Sequence, residues 1–535
     1  MLCFEIDDDP PVALWTPDAG PGQHAAAMGW PLLSSVDPIR HPFIISTGGG
    51  GEIANATITL DNGSGTLSAF WGDTPPLRKR ARVRRGDHIL IEGVITAISL
   101  SETARVTLQA GAAWSLSDPL PLRTTAAWGE WKQMRTLPLV YGSASLAPVQ
   151  YDREGRVFLV ADHPIAAVDA VYRDDIPTDA WRWYHATDST GHTCAWIELA
   201  TPLAPGESLR VHLQGKRCPR RGALLREPHD ILYDLLADVC AYPVDAAALQ
   251  RLREEYAGWY IGTAYTEAIS QRQAIERICG SIGAAWSLAA ADIARRWPAR
   301  ADAAMMRVDQ QAAGASAQLT DTQLATVVRV LYDVGDHDGR PRRALQMAAV
   351  EPMQRYGRLE KEWTAPCLRE PWQAHDLAVR LLQQWSTPSW ALRWSMPDRA
   401  DIRVGDTVSL AHPRLPVTGD VILTDVQHDP MRATLHCEAQ APGGAPPSVV
   451  VERLSSQIDP VIRAGTAVEY QDGTATFTLL GDRGEPLAGA KVILDGAVVR
   501  YANSFGQVSF KAARGRHTLH VQAAGYAPMD IEVEV

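Results

Sequence analysis

Residues 128–175 read WGEWKQMRTLPLVYGSASLAPVQYDREGRVFLVADHPIAAVDAVYRDD. The run Leu137-Pro138-Leu139-Val140-Tyr141-Gly142 is apolar, and two further segments on either side of Asp162-His163-Pro164 alternate apolar and polar residues. Alternation at period two marks a half-buried strand, so a strand pair around Asp162-His163-Pro164 is expected. No catalytic constellation occurs in the stretch.

Upstream, residues 1–120 repeat the pattern. Ile53 to Leu60 alternates and stops at Asp61-Asn62-Gly63, an Asn-Gly turn signal expected to join two strands. Ala81-Arg82-Val83-Arg84-Arg85, Ile89 to Ile95 and Ala104 to Gln109 follow as further strands, which predicts a small barrel or sandwich. The basic run Arg78 to Arg85 then reads as one solvated strand face. Gly48 to Gly51 reads as a flexible loop, because a phosphate cradle needs a helix directly behind it.

Downstream, Cys194 to Leu199 and Leu209 to Leu213 continue as strands around a Pro205-Gly206 turn. The period then changes. Ile231, Leu232, Leu235, Leu236 and Val239 fall at helical spacing after Pro228, Ser270 caps a second helix carrying Ala274, Ile275, Ile278 and Ile282, and a third runs from about Trp372 to Trp385. Ala325 to Tyr332, Ile402 to Leu410 and Val421 to Val426 read as strands. Ala441-Pro442-Gly443-Gly444-Ala445-Pro446-Pro447 is too rich in Pro and Gly for helix or sheet and marks a linker. From Ala467 to Val535 short strands return at even intervals, which predicts a compact sandwich.

Length and composition bound the function. A chain of 535 residues exceeds one ordinary core, so several domains are expected. Lys and Arg number 51 against 62 Asp and Glu, a net charge of −11 that repels nucleic acid and argues against a sequence-specific DNA reader. The 17 Trp against 7 Phe suit extensive interfaces, and a coding bias explains them equally well; Trp128, Trp131, Trp181, Trp183 and Trp196 are the candidate anchors. The N-terminus has an acidic run where a signal peptide needs a basic one, and no apolar run reaches membrane-spanning length, so synthesis in the cytoplasm and no membrane segment are expected.

Cys3, Cys194, Cys218, Cys240, Cys279, Cys367 and Cys437 include no CxxC pair, which disfavours a zinc ribbon or disulfide framework and leaves an iron–sulfur cluster built from distant cysteines open. Asp333, Asp336 and Asp338 before Gly339 invite a calcium reading, but the spacing departs from a helix-loop-helix site and a solvated loop is expected. Glu254 and Glu255 are paired carboxylates of the sort any acidic chain supplies. No catalytic, cofactor-binding or metal-ligating residue is assigned.

Two resemblances rest on these residues. Gly484-Glu485-Pro486-Leu487-Ala488-Gly489-Ala490-Lys491-Val492-Ile493-Leu494-Asp495-Gly496, then Gly506-Gln507-Val508-Ser509-Phe510, Gly515-Arg516-His517-Thr518-Leu519 and Gly525-Tyr526, is similar to the carboxypeptidase regulatory-like, transthyretin-type β-sandwich. Leu60-Asp61-Asn62-Gly63, Pro138-Leu139-Val140-Tyr141-Gly142, Ala161-Asp162-His163-Pro164-Ile165, Glu227-Pro228-His229-Asp230-Ile231-Leu232 and Val404-Gly405-Asp406-Thr407-Val408 together resemble the tail hub, or baseplate hub, of long flexible-tailed bacteriophages.

The second resemblance implies a mainly β, multidomain fold with an α+β insertion. Its expected divisions are an N-terminal β-barrel hub domain over 1–125, a second β domain over 126–228, an α+β region closing on a β-barrel over 229–440, a linker over 441–465 and the C-terminal sandwich over 466–535. It also implies a structural, non-enzymatic virion protein at the tail tip. That protein is a homotrimer that meets the distal tail protein, the tape measure protein and tip or fibre proteins, and lets DNA pass through its channel. The alternative readings are a carbohydrate-active or peptidoglycan-degrading enzyme, which needs two carboxylates converging in a cleft, or a glycan-binding adhesin.

Overall fold

The computed structural model describes residues 2–7, 11–16, 28–42, 44–45, 55–72, 74–86, 88–110, 118–128, 134–174, 176–204, 206–218, 222–242, 244–288, 293–297, 304–309, 312–336, 339–399, 401–442, 451–453, 463–471, 474–480, 486–523 and 529–534. The fold is mainly β and multidomain, with helices gathered in the middle of the chain.

The first domain is one eight-stranded sheet, in the order Met28–Trp30, Val12–Trp15, Leu2–Ile6, Arg80–Arg85, His88–Leu100, Thr103–Ala110, Asn55–Asp61, Leu33–Val36. One cluster of buried side chains draws on strands from both halves of that order, Leu14 and Leu33 among them, so the sheet folds over its own core in the manner of a barrel. The Asn62-Gly63 turn does not join two strands. It leads into a short helix, Thr66–Trp71, and Asn55–Asp61 pairs instead with Thr103–Ala110. Asn62 explains this: its buried side chain accepts from the N–H of Leu67 at 3.0 Å and of Ser68 at 3.2 Å, and donates to the Ser101 carbonyl at 2.7 Å. Such a bracket starts a helix rather than a hairpin. The basic strand is less solvated than expected, because Arg82 and Arg84 both pair with the buried Glu5 of the neighbouring strand. Gly48 to Gly51 lie outside the described residues.

The strands around Asp162-His163-Pro164 form a sandwich. One sheet orders Ser143–Leu146, Leu209–Lys216, Ile165–Arg173 and Ile176–Thr178; the other orders Val149–Gln150, Val157–Ala161, Thr193–Leu199 and Trp181–Thr187. The strands flanking Asp162-His163-Pro164 therefore do not pair with each other. Those three residues carry the chain from one sheet to the other, and Phe158, Val160, Ile165 and Val168 meet Ile197, Val211 and Leu213 in the core between. Three glycines permit backbone crossings beside it. A Cβ on Gly142 or on Gly262 would stand 1.9 Å from the Ile261 or the Ser143 carbonyl oxygen respectively, and one on Gly215 would stand 2.4 Å from that of Val140.

The helices come where their periodicity places them. Pro228–Tyr233 continues as a π-helical turn, Asp234–Val239. Gln271–Ile282 starts with a reciprocal capping box between Ser270 and Gln273. Pro371–Trp385 packs its Leu377, Ala378, Leu381 and Leu382 face on the sheet Glu360–Ala365, Val327–Val334, Pro341–Ala349, Val451–Arg453. The run Ala441 to Pro447 opens inside sheet structure rather than beyond it: Thr434–Pro442 pairs along its length with Ser389–Pro397, and Val451–Arg453 returns to pair with Met347 to Ala349.

Apart from the sandwich expected over 126–228, a second β domain built, like the first, on one large sheet orders Met306–Val308, Thr407–Leu410, Gly419–Asp429, Thr434–Pro442, Ser389–Pro397 and Ala313–Thr320. The strand expected over Ile402 to Leu410 is only Thr407–Leu410, because Gly405 sits at φ 89° and Asp406 closes a turn back to the Arg403 carbonyl. At the C-terminal end, Arg463–Gln471, Thr474–Leu480 and Gln507–Lys511 face Val498–Tyr501, Lys491–Leu494, Arg516–Gln522 and Met529–Glu534 across Phe477, Leu479, Val492, Phe510 and Val521. This is the expected sandwich. No helix among the described residues is long and apolar enough to cross a membrane.

Candidate functional site

The sandwich crossover carries a dense polar knot. Arg123 donates to Asp162 at 2.8 Å, to Thr190 at 2.8 Å and to Asp188, whose carboxylate also takes the Trp128 indole at 3.2 Å and the N–H groups of Thr190 and His192 at 2.9 and 3.0 Å. Burial works against the charge on Asp188, yet hydrogen bonds led by Thr190 and Arg123 hold it well below the usual carboxylate range. Burial and the Asp162 charge push the Cys194 thiol up to about 12.

Asp162, His192 and Cys194 bring three potential metal ligands together within 4.8 Å. The donor set does not suit a metal. Cys194 donates toward the Asp162 carboxylate at 3.4 Å, His192 Nε2 lies 2.9 Å from the Asp162 carbonyl, and the Arg123 guanidinium pairs with the same carboxylate at 2.8 Å, so these groups already satisfy one another. A second group, Glu227, His229 and Asp230, places the His229 Nε2 3.5 Å from one carboxylate and 3.3 Å from the other. Among the described residues, neither group holds more than one cysteine, six of the seven cysteines are buried and all seven are free.

The acidic run Asp333, Asp336 resolves into something other than a solvated loop. The Asp336 carboxylate is fully buried, and it accepts from the N–H of Ser145 at 3.3 Å and of Ala264 at 3.1 Å, from Arg277 at 3.3 Å and from Arg369 at 2.8 Å. One side chain thus ties the first sheet of the sandwich, the strand Thr263–Tyr265, the helix Gln271–Ile282 and the entry to helix Pro371–Trp385. With those four donors in place its oxygens are not open to calcium. Asp338 lies outside the described residues. Glu254 is bonded by Gln250 at 2.7 Å and Glu255 by the Arg296 N–H at 2.6 Å, so the adjacent carboxylates serve separate local contacts.

One pair was invisible in the sequence. Ser395 Oγ lies 2.7 Å from His436 Nδ1, but the two stand directly opposite on paired strands, and the next rung on that face is Arg393 with Glu438 at 2.8 Å. This is a cross-strand polar ladder of the kind that stabilises sheets.

The candidate tryptophans divide. Trp196 is buried, donates to the Ala186 carbonyl at 2.9 Å and packs with Tyr151, so it belongs to the interior, and the half-buried Trp128 packs against both rings. Trp181 is half-buried and donates to the Thr178 carbonyl at 2.7 Å, and Trp183 meets His185 edge-on. Trp131 lies outside the described residues. Among the described tryptophans the exposed one is Trp372, at 50% exposure, which is not among those candidate anchors.

The last arrangement is mechanical. After Leu33–Val36 completes the first domain's sheet, the chain crosses to the second β domain, where Ile39–Pro42 pairs with Gly419–Asp429. Ion pairs flank this lacing. Arg40 meets Asp425 at 2.6 Å, while Arg85 of the first domain donates to the buried Asp398 and to the Pro430 carbonyl of the second. His428 lies 2.7 Å from the other oxygen of Asp398, and the His41 ring packs edge-on against His428 at 5.9 Å. Burial, with the His428 charge, lowers His41 to about 4.

By sequence, neither a protein-family model nor a curated protein matches this chain. By structure it is similar to a tail protein from Neisseria meningitidis, with a TM-score of 0.40 at 8% identity over 84% of this chain and 99% of that one. It is similar also to the 43 kDa tail protein of a Shewanella oneidensis prophage, with 0.36 at 7% identity over 82% and 95%. For a prophage tail protein from Listeria monocytogenes the score is 0.32 at 10% identity over 77% and 90%.

Proposed function

We propose that this chain is a structural, non-enzymatic virion protein of a bacteriophage tail, the hub at the tail tip. Three copies form a ring that joins the distal tail ring and the end of the tape measure to tip or fibre proteins, with a central passage for DNA. The observation that carries the reading is the lacing of two β domains by Ile39–Pro42, with the Arg85–Asp398 ion pair across the same boundary. A strand donated from one β domain to the other makes a stiff unit suited to bearing load and repeating around an axis. The residues on which the hub resemblance rests also fall at joints. Val140 to Gly142 lies at a crossing of backbones, Ala161 to Ile165 at the switch between sheets, Glu227 to Leu232 at the start of the helical region, and Val404 to Val408 where the second β domain turns.

Shape and symmetric contact are the function in this reading. A heterologous contact repeated about a three-fold axis closes into a ring without leaving an open end. Light scattering on the purified 58.3 kDa chain is the direct test, because three copies give about 175 kDa. A strict monomer at high concentration, and also in the presence of the adjoining tail ring, would overturn the proposal.

A further inference from the structure

The two edges of the four-stranded sheet in the C-terminal sandwich are built differently. At one edge, Val498–Tyr501 pairs among the described residues only with Lys491–Leu494, and it exposes Val498 at 44%, Val499 at 45% and Tyr501 at 38%, beside Phe505 at 69%. Natural sheets blunt an open edge with charge, proline or a bulge, and this edge has only Arg500. The opposite edge, Met529–Glu534, alternates apolar with acidic residues: Ile531 and Val533 are buried, and Asp530, Glu532 and Glu534 occupy the alternate positions. One edge thus carries an acidic residue at every second position of its sequence, and the other exposes apolar side chains.

We infer that Val498–Tyr501 is the docking edge for the Met529–Glu534 strand of a second copy of this chain, so that the sandwiches join edge to edge around the assembly. Direction fits. Every neighbouring pair in the sheet is antiparallel, so the two outer strands run in opposite senses and a copy placed alongside continues an antiparallel sheet. The rows fit as well. Val498 lies opposite the buried Leu494, on the row that a neighbour's Ile531 and Val533 would extend. On the other face Val499 and Tyr501 share their row with Lys491, where a neighbour's Asp530, Glu532 and Glu534 would fall. The contact joins unlike edges, so it is heterologous and needs closure to avoid running on as a filament. Strands this short give a weak contact alone and a firm one once the rest of the chain holds copies together, in which respect the inference rests on the trimer.

The test uses the full chain. Amide exchange of 498–501 and 529–534 is followed from dilute to concentrated solution, with the mass measured on the same samples. Both segments are expected to slow together, by about tenfold, as the assembly forms. Two substitutions at the exposed Val499 separate this partner from others. Val499→Glu puts like charge against the acidic strand and is expected to abolish the protection, whereas Val499→Lys is expected to keep it. An assembly whose edges exchange as freely as in dilute solution overturns the inference and leaves the trimer standing. Protection of 498–501 alone, or equal effects of the two substitutions, overturns it in favour of a different partner. A chain that stays monomeric throughout overturns both.

Discussion

The Nε2 of His163 lies 3.0 Å from the backbone N–H of Val140 and accepts its hydrogen, while the Nδ1 of the same ring lies 3.0 Å from the Pro164 carbonyl and donates to it. Both nitrogens are committed in one neutral tautomer. From the strand Trp181–Thr187 of the other sheet, His185 accepts the Ile165 N–H through Nε2 at 3.0 Å. Two imidazoles thus take up backbone donors that the chain leaves behind where it steps from one sheet to the other, in answer to the requirement that buried N–H groups find partners.

This arrangement makes the protein sensitive to mild acid. Burial lowers His163 from 6.5 to about 4, with Lys216 adding to the effect and the Pro164 carbonyl and Asp234 opposing it. A second proton would also point at the Val140 N–H. The folded value lies below the unfolded one, so the unfolded chain takes up the proton first. The stabilisation is complete above pH 6.5 and is lost as the pH falls toward 4, by about 3 kcal/mol in full and about 2 kcal/mol by pH 5. Urea unfolding at neutral pH and at about pH 5 measures it. His163→Gln, which keeps an acceptor for Val140 but does not titrate, is expected to remove this share of the dependence and leave that of His41, and an unchanged slope would refute the assignment.

Asp336 is the second sensitive point. Removing its carboxylate takes the ion-pair partner from Arg277, 27% exposed, and the nearer one from Arg369, 16% exposed, which keeps the Ser143, Val334 and Pro366 carbonyls, and it strands two backbone N–H groups from different parts of the chain. Breaking a buried ion pair by deleting one partner costs about 3–5 kcal/mol, because the charge left behind has no compensation. Asp336→Ala is expected to lose about that much in chemical unfolding, and Asp336→Asn less, since its oxygen still accepts from one N–H. Calcium is expected to change neither stability nor mass.

Much of this fold was legible because half-buried strands alternate whatever they pair with. Leu209–Lys216 buries every second residue, and Ser270 as a cap announced its helix in the letters themselves. Pairing was not legible. Alternation before and after Asp162-His163-Pro164 says that both segments are half-buried, but a hairpin and a step between sheets bury the same positions. Asp336 was missed for a related reason: its four donors come from residues far along the chain, so nothing near it distinguishes it from an ordinary loop acid. Ile39–Pro42 is four residues long, too short for any period, although it laces two domains.

The joint between those domains gives the last prediction. Asp398, 1% exposed, holds Arg85 of the first domain with one oxygen and His428 of the second with the other. Asp398→Ala is expected to cost about 3–5 kcal/mol, and the loss falls on the contact between the two β domains rather than on either core. Unfolding that is cooperative in the parent should therefore separate into steps. Arg85→Ala alone is milder, because Asp398 keeps its bond to His428. If the ion pair couples the domains, the double variant costs less than the two single changes added together, by about 0.5–3 kcal/mol. Strict additivity would show that Arg85 and Asp398 act independently, and the coupling would then fall to the paired strand Ile39–Pro42 and its Arg40–Asp425 contact.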